Sequence, residues 1–192
     1  MTDTFEKAPI VEQADQDAPI DQTTVNDQTA SEPLPNELWL SRTIATLRGA
    51  VGEDAIQESY INKADSNRPC IIVPPNHWPA VASLLRDHEE FGLNYLRSVA
   101  GIDCETHMEI VYYLISLETQ DEVCVKVKTD RDLPSIPSIT HVWPTANWNE
   151  REIYDLFGID FPGHPDLRRI LMPDDWVGHP MRKDYEPLDS EV

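Results

Sequence analysis

No apolar run in these 192 residues approaches the ~20 that a helix needs to cross a bilayer. Glycine is scarce, seven in all and scattered, so there is no Gly-rich loop to cradle a phosphate. Cysteine is scarcer. Cys70, Cys104 and Cys124 stand 34 and 20 residues apart, too widely spaced for an iron–sulfur cluster and odd in number, which fits a reducing, cytoplasmic compartment without a disulfide framework. Basic residues are outnumbered, 15 against 35 acidic, and the net charge of −20 argues against a nucleic-acid or anionic-membrane binder.

What is present divides into three parts. Residues 1–36 are dominated by Asp, Glu, Gln, Thr and Ala, with Lys7 the only base and Phe5 the only aromatic. Such a stretch cannot bury enough surface to offset its ordering entropy, so it is expected to be a disordered acidic tail. It has neither the Arg-rich, acid-poor character of a transit peptide nor the apolar stretch of a signal peptide, which points to a bacterial chain. Residues 37–158 carry periodic patterns. Asn36 is placed to cap a helix over 37–49, and Asn76 opens another to about Phe91. Strands are expected at Ile56–Ile61, Cys70–Val73, Tyr95–Asp103, Met108–Leu117 and Val123–Thr129. In the last, Val123, Val125 and Val127 point inward while Cys124, Lys126 and Lys128 point outward. Residues 130–146 are broken by Pro134, Pro137 and Pro144 but kept packed by Ile136, Ile139, Val142 and Trp143. The order predicts an α+β domain with a mostly antiparallel sheet and helices on one face.

The densest chemistry begins at Asn147. Asn147 and Glu150 have capping-box spacing and Gly158 supplies a left-handed stop, which predicts a helix between them. Ile153, Leu156 and Phe157 share its buried face, with Arg151 and Asp155 four apart on the other side. Glu150 falls at the rim of the apolar stripe, where a carboxylate must find a donor. Arg168 and Arg169 are its expected partners. Beyond Gly158, five prolines exclude a long helix or central strand. Yet Phe161, Leu167, Ile170, Trp176, Met181, Arg182 and Tyr185 are residue types that dominate interfaces. Residues 159–192 therefore read as an extended arm that docks on a partner and lies outside the core of the domain.

Glu150-Arg151-Glu152, Asp155-Leu156-Phe157, His164 and Arg168, at intervals of two, six and three residues, resemble the signature of the C subunit of bacterial NADH-quinone oxidoreductase. This is respiratory complex I, whose mitochondrial counterpart is the iron-sulfur protein 3 subunit. Asp174-Asp175-Trp176, Gly178 and Arg182-Lys183-Asp184-Tyr185 extend the likeness. Glu186 stands where relatives often have proline, and the acidic tail lies outside the shared region. The resemblance implies a subunit without a cofactor of its own in a proton-translocating enzyme. That enzyme passes electrons from NADH through FMN and iron–sulfur clusters on other subunits to a quinone. Its implied partners are the quinone-site D subunit and the cluster-bearing B and I subunits. It would lie peripherally on the cytoplasmic side of the cell membrane, held there through the complex alone. Glu150, Arg151, Glu152, Asp155, His164, Arg168, Trp176, Arg182 and Tyr185 are then packing and interface residues, with no catalytic, cofactor or metal role. The same module serves in membrane-bound hydrogenases and ferredoxin- or F420-dependent relatives, which is the alternative reading.

Readings of other classes are weaker. His164 and His179 lie fifteen apart amid Asp166, Asp174 and Asp175 and could be drawn as a hydrolase metal site. Neither has a partner at helical spacing, and each precedes a proline, which favours imidazoles bonded to loop backbone. His107-Met108-Glu109 is half of a zinc-deaminase motif with no Cys-x-x-Cys after it. A soluble adaptor unrelated to respiration is the third option.

Overall fold

The computed structural model describes residues 34–186, so the expectation of a disordered tail over 1–36 falls almost wholly outside the described residues. Three helices, α1 (Pro35–Val51), α2 (Trp78–Asp87) and α3 (Ala146–Phe157), accompany five strands. The strands are β1 (Glu58–Asn62), β2 (Arg68–Val73), β3 (Tyr95–Asp103), β4 (Met108–Ile115) and β5 (Glu122–Thr129). The α+β class and the element order agree with the sequence.

The sheet order is β1-β2-β5-β4-β3. β1 and β2, β3 and β4, and β4 and β5 pair antiparallel, but β2 and β5 pair parallel, so the sheet is mixed and the antiparallel expectation is corrected. The cause lies in the connections. α2 carries the chain from β2 across one face to the far edge, and a helical crossover of this kind joins parallel strands. Two hairpins then bring β5 back beside β2, pointing the same way.

One face of the sheet holds the main core. Ile71, Val73, Met108, Ile110, Tyr112, Leu114, Val123, Val125 and Val127 alternate into a single cluster with buried side chains of all three helices, as period-two strands under amphipathic helices require. Ile136, Ile139, Val142 and Trp143 of the proline-broken linker join it, and the Trp143 indole N–H donates to the Leu93 carbonyl at 3.1 Å. α1 starts earlier than expected, because the Glu37 carboxylate reaches back to the Leu34 amide at 3.0 Å and Pro35 suits a first helical turn. α3 starts at Ala146 rather than after Asn147. Turns at Trp143 and Pro144 supply carbonyls for the first amides, at 2.9 and 3.1 Å, and no side chain caps it. α3 lies close on β3 because Gly101 has no side chain; a Cβ there would stand 3.0 Å from the Phe157 ring. Among the described residues no helix is long and apolar enough to cross a membrane.

Residues 159–186 contain no helix or strand, as their prolines dictate, but they are not separate from the domain. Ile159 and Phe161 are fully inside the core, so the core extends past the expected boundary at Gly158. Asp160 accepts from the Ile136 amide and donates its own to Pro134, and Ser138 donates to Pro162, each at 2.9 Å. The segment then turns back along the outer side of α3.

Candidate functional site

α3 is therefore covered twice. Ala146, Glu150, Ile153 and Phe157 fall on one stripe and face the sheet, while Arg151 and Asp155, one turn apart, face the returning segment. This second pair divides the backbone of that segment between them. The Arg151 guanidinium donates to the carbonyls of Arg168 and Arg169, at 3.2 and 3.3 Å. Asp155, fully buried, accepts the amides of Ile170, Leu171 and Met172 on Oδ2 at 2.9, 2.7 and 2.9 Å. Its Oδ1 accepts from Arg169 Nη1 at 2.7 Å. Burial raises the Asp155 pKa, but three amides and a guanidinium outweigh it and hold the carboxyl below its usual value. His179 Nδ1 lies 2.9 Å from the Asp155 carbonyl. Arg151 and Asp155 thus tie the returning segment to α3, with Arg169 as the cation.

Glu150 behaves differently from the expectation. It does not pair with Arg168 or Arg169, because it points to the sheet side of α3 and they lie on the other. Its Oε1 accepts the Ile139 amide at 2.9 Å, pinning the linker to the helix, and the side chain is fully buried. Oε2 has no hydrogen bond among the described residues, and neither do the Tyr112 hydroxyl and the Trp78 indole N–H. The Tyr112 and Trp78 rings pack at 4.6 Å. Desolvation pushes Glu150 up to about 7, opposed by the nearby Ser138 hydroxyl and the Ile139 amide. The Tyr112 hydroxyl is raised well above its usual value by burial and by the Glu150 charge.

The far end of the segment is held by a second carboxylate, which sequence reasoning missed. Asp103, at the end of β3, takes a bidentate pair from Arg131, at 2.9 Å to Oδ1 and 2.8 Å to Oδ2. It also accepts the amides of Glu105 at 2.8 Å and Lys183 at 2.9 Å. The Arg131 pair, against burial, holds Asp103 far below the usual carboxylate range. Arg182 donates to the Arg131 carbonyl at 3.0 Å and the Phe157 carbonyl at 3.4 Å, and the Met181 amide donates to Leu156 at 3.0 Å. The only sequence signal is Asp103 at a strand end before a turn, which fits the local bond to Glu105 but says nothing of a partner eighty residues away.

The remaining motif residues sort by where they point. His164 accepts the Asp166 amide on Nδ1 at 3.0 Å, so its Nε2 carries the proton toward the Asn147 carbonyl at 3.2 Å. His164 and His179 thus both bind backbone. Tyr185 is half-buried over Gly178. Glu152 and Arg168 face outward, Arg168 bonded to Asp166 at 2.9 Å. Leu171, Trp176, Val177 and Met181 form an exposed apolar set on the fixed segment, with Val177 69% exposed. Beside Met181 a cleft runs between β3 and α3, lined by Val99, Ala100, Leu156 and Phe157, with Glu152 at its edge. Exposed apolar side chains among charged ones, on a segment tied down by hydrogen bonds, are suited to binding another protein. No group of three or more metal-ligating side chains converges among the described residues.

Comparison with known proteins agrees with this geometry. Residues 71–191 match the family described as respiratory-chain NADH dehydrogenase, 30 kDa subunit. The NADH-quinone oxidoreductase C subunit of Roseiflexus sp. strain RS-1 is 48% identical over 161 residues, covering 82% of this chain and 87% of its own. That of Chlorobium phaeobacteroides is 44% identical over 142 residues, covering 69% of this chain and 86% of its own. Among solved structures, a trypsin-resistant fragment of Nqo5 superposes with a TM-score of 0.54 at 28% identity, covering 67% of this chain and 99% of the fragment. A chain of the membrane-bound sulfane sulfur reductase, an archaeal respiratory membrane complex, shares the fold with a TM-score of 0.59 at 22% identity, covering 77% of this chain and 86% of its own.

Proposed function

The chain belongs to the family of the 30 kDa subunit of respiratory-chain NADH dehydrogenase, and from that premise we propose that it is a scaffold subunit carrying no cofactor of its own. It is a peripheral-arm subunit of NADH-quinone oxidoreductase, associated with the membrane through the other subunits of the complex. In this reading it sits on the cytoplasmic side. FMN and the iron–sulfur clusters reside on its neighbours, and the chain supports the quinone-site D subunit and the cluster-bearing B and I subunits.

One observation carries the docking role. Leu171, Trp176, Val177 and Met181 stand exposed on a segment that has no regular structure yet is fixed at both ends by buried carboxylates, Asp155 and Asp103. A surface ordered in advance binds without the entropy cost of ordering a loose arm. Relatives 44 and 48% identical carry the name of the NADH-dependent enzyme, so the hydrogenase-type alternative has no comparable support.

The test is purification of the tagged chain from solubilised membranes, with partners identified and flavin, iron and sulfide measured on the chain after it is separated from them. The D, B and I subunits should co-purify and the separated chain should carry no stoichiometric cofactor. Bound flavin or iron on the separated chain would refute the scaffold reading. Absence of the quinone-site protein would refute the docking assignment.

A further inference from the structure

The face of the sheet away from the helices carries a smaller buried cluster with its own chemistry. Cys70 on β2 is the register partner of Cys124 on β5. Tyr60 of β1 pairs with Cys70, and Tyr113 of β4 pairs with Cys124. A single row thus crosses four strands in the order Tyr60, Cys70, Cys124, Tyr113. Both cysteines are buried and reduced, with the two half-buried tyrosines packed against them. In the next row Lys126 lies on the same face, its ammonium 3.0 Å from the Glu109 carboxylate.

We propose that Cys70 and Cys124 form a two-electron redox site, at which a hydroperoxide oxidises the paired thiols to an intrachain disulfide joining β2 to β5. Strand spacing supports the bond. Neighbouring strands lie about 4.8 Å apart, inside the range of about 4.4–6.8 Å between Cα atoms that a disulfide spans. Side chains of register partners leave the sheet on the same side, so both sulfurs meet over one spot. The two thiols differ in character. Cys70 is held below its usual value by the hydrogen bond from Cys124, against burial, with Tyr60 and Lys126 assisting. Cys124 is raised by that same pairing and by burial. In the proposal Cys70 attacks and Cys124 resolves.

The steps balance. The Cys70 thiolate attacks the distal oxygen of the hydroperoxide, the O–O bond breaks, and the leaving oxygen takes a proton, giving water from hydrogen peroxide or an alcohol from an organic hydroperoxide. Cys70 becomes a sulfenic acid. The Cys124 sulfur then displaces the sulfenic oxygen as water, forming the S–S bond and losing its own proton. Overall two thiols lose two electrons and two protons, and the hydroperoxide is reduced. A dithiol reductant reverses the change. Cys70 is fully buried against the Tyr60 ring of β1, the five-residue edge strand, so displacement of that edge is what admits the hydroperoxide.

The experiment treats the full chain with hydrogen peroxide, blocks the remaining thiols, and maps peptides without reduction. A Cys70–Cys124 linked peptide, two hydrogens lighter and restored by dithiothreitol, is the expected result. It should persist in Cys104→Ser and vanish in Cys124→Ser or Cys124→Ala, where Cys70 should instead accumulate as a trappable sulfenic acid. The wild-type map decides the matter without any variant. Cys70 and Cys124 recovered as free thiols at peroxide levels that oxidise Cys104 would overturn the proposal. So would over-oxidation of Cys70 at the same rate with and without Cys124, or a linked peptide that forms only in the denatured chain.

Discussion

Asp155 Oδ2 lies 2.7 Å from the amide nitrogen of Leu171, sixteen residues further along the chain, and is flanked by the amides of Ile170 and Met172 at 2.9 Å each. A carboxylate on the outer side of a helix thus takes the part that a neighbouring strand takes in a sheet. It gathers three successive amides of a segment whose prolines prevent regular pairing.

Replacement of Asp155 by Asn tests this. One oxygen becomes a donor that faces Arg169 or the three amides, whichever way the amide group turns, and the charge that holds Arg169 is lost. Breaking a buried ionic contact of this kind costs roughly 3–5 kcal/mol. Urea denaturation should show a loss of that order, and proteolysis should reach residues 165–178 before the domain. A loss below about 0.5 kcal/mol, the range of an ordinary surface change, would show that the segment is held by other contacts.

Glu150 should behave oppositely with pH. Its folded pKa, about 7, lies above the ordinary 4.5, so the folded chain binds the proton more tightly than the unfolded chain. Its contribution to stability is fully present below the unfolded value and is lost as pH rises through the folded one. Between pH 4.5 and pH 7 the loss is about 3 kcal/mol. Glu150→Gln keeps an acceptor for the Ile139 amide and cannot ionise. The stability of the variant relative to wild type should therefore rise by about that amount between pH 4.5 and about pH 8, when both are followed by denaturant melts. A pH-independent difference would mean that the wild-type carboxyl is not desolvated. Asp155 has the reverse sign: its lowered pKa makes its stabilisation present above the unfolded value and lost on acidification.

Much of this is legible in the sequence. The strand over Tyr95–Asp103 is read from its residues, and the inward set Val123, Val125 and Val127 follows from alternation alone. The helix ending at Gly158, and Arg151 with Asp155 on its outer side, follow from the helical period. The parallel pairing of β2 with β5 is not legible, because it is set by how a crossover and two hairpins combine and not by either strand's pattern. Glu150 reads from the sequence as a carboxylate in need of a donor. The donor is a linker amide, Ile139, and a backbone group leaves no mark in the sequence where an arginine does. Asp103 with Arg131 and Lys183 escapes sequence reading for a related reason, since one partner is a side chain in the linker and the other a main-chain amide.

Gly158 is expected to resist substitution for two separable reasons. Its φ is +73°, where a Cβ costs roughly 1 kcal/mol, and a Cβ would stand 2.6 Å from the His179 ring. Gly158→Ala should therefore displace His179 from the Asp155 carbonyl and cost more than the backbone alone requires. In a His179→Ala background the clash is gone and the cost should fall to the backbone part. A double-mutant cycle by thermal melts measures the difference, and full additivity would show that the ring moves aside freely.

The last prediction separates the two roles of residues 162–186, part of the stretch 159–192 that the sequence alone reads as a partner-docking arm outside the core. A chain ending after Phe161 keeps Ile159 and Phe161 in the core but removes Arg169, the three amides on Asp155 and the Lys183 amide on Asp103. It should remain folded yet melt several degrees lower, since each hydrogen bond to a charged group contributes about 1.5–3 kcal/mol and water replaces only part of that. It should also fail to associate with the quinone-site subunit. Neither result alone tells lost docking from lost stability. The double variant Val177→Asp, Met181→Asp does, because both side chains are exposed, at 69% and 55%, and the Met181 bond to Leu156 is through its backbone amide. Its melting temperature should match that of wild type while its co-purification with the quinone-site subunit falls at least tenfold. Normal assembly of this variant would remove the apolar set from the docking surface, and a melting temperature as low as that of the truncated chain would place these side chains in the fold of the domain.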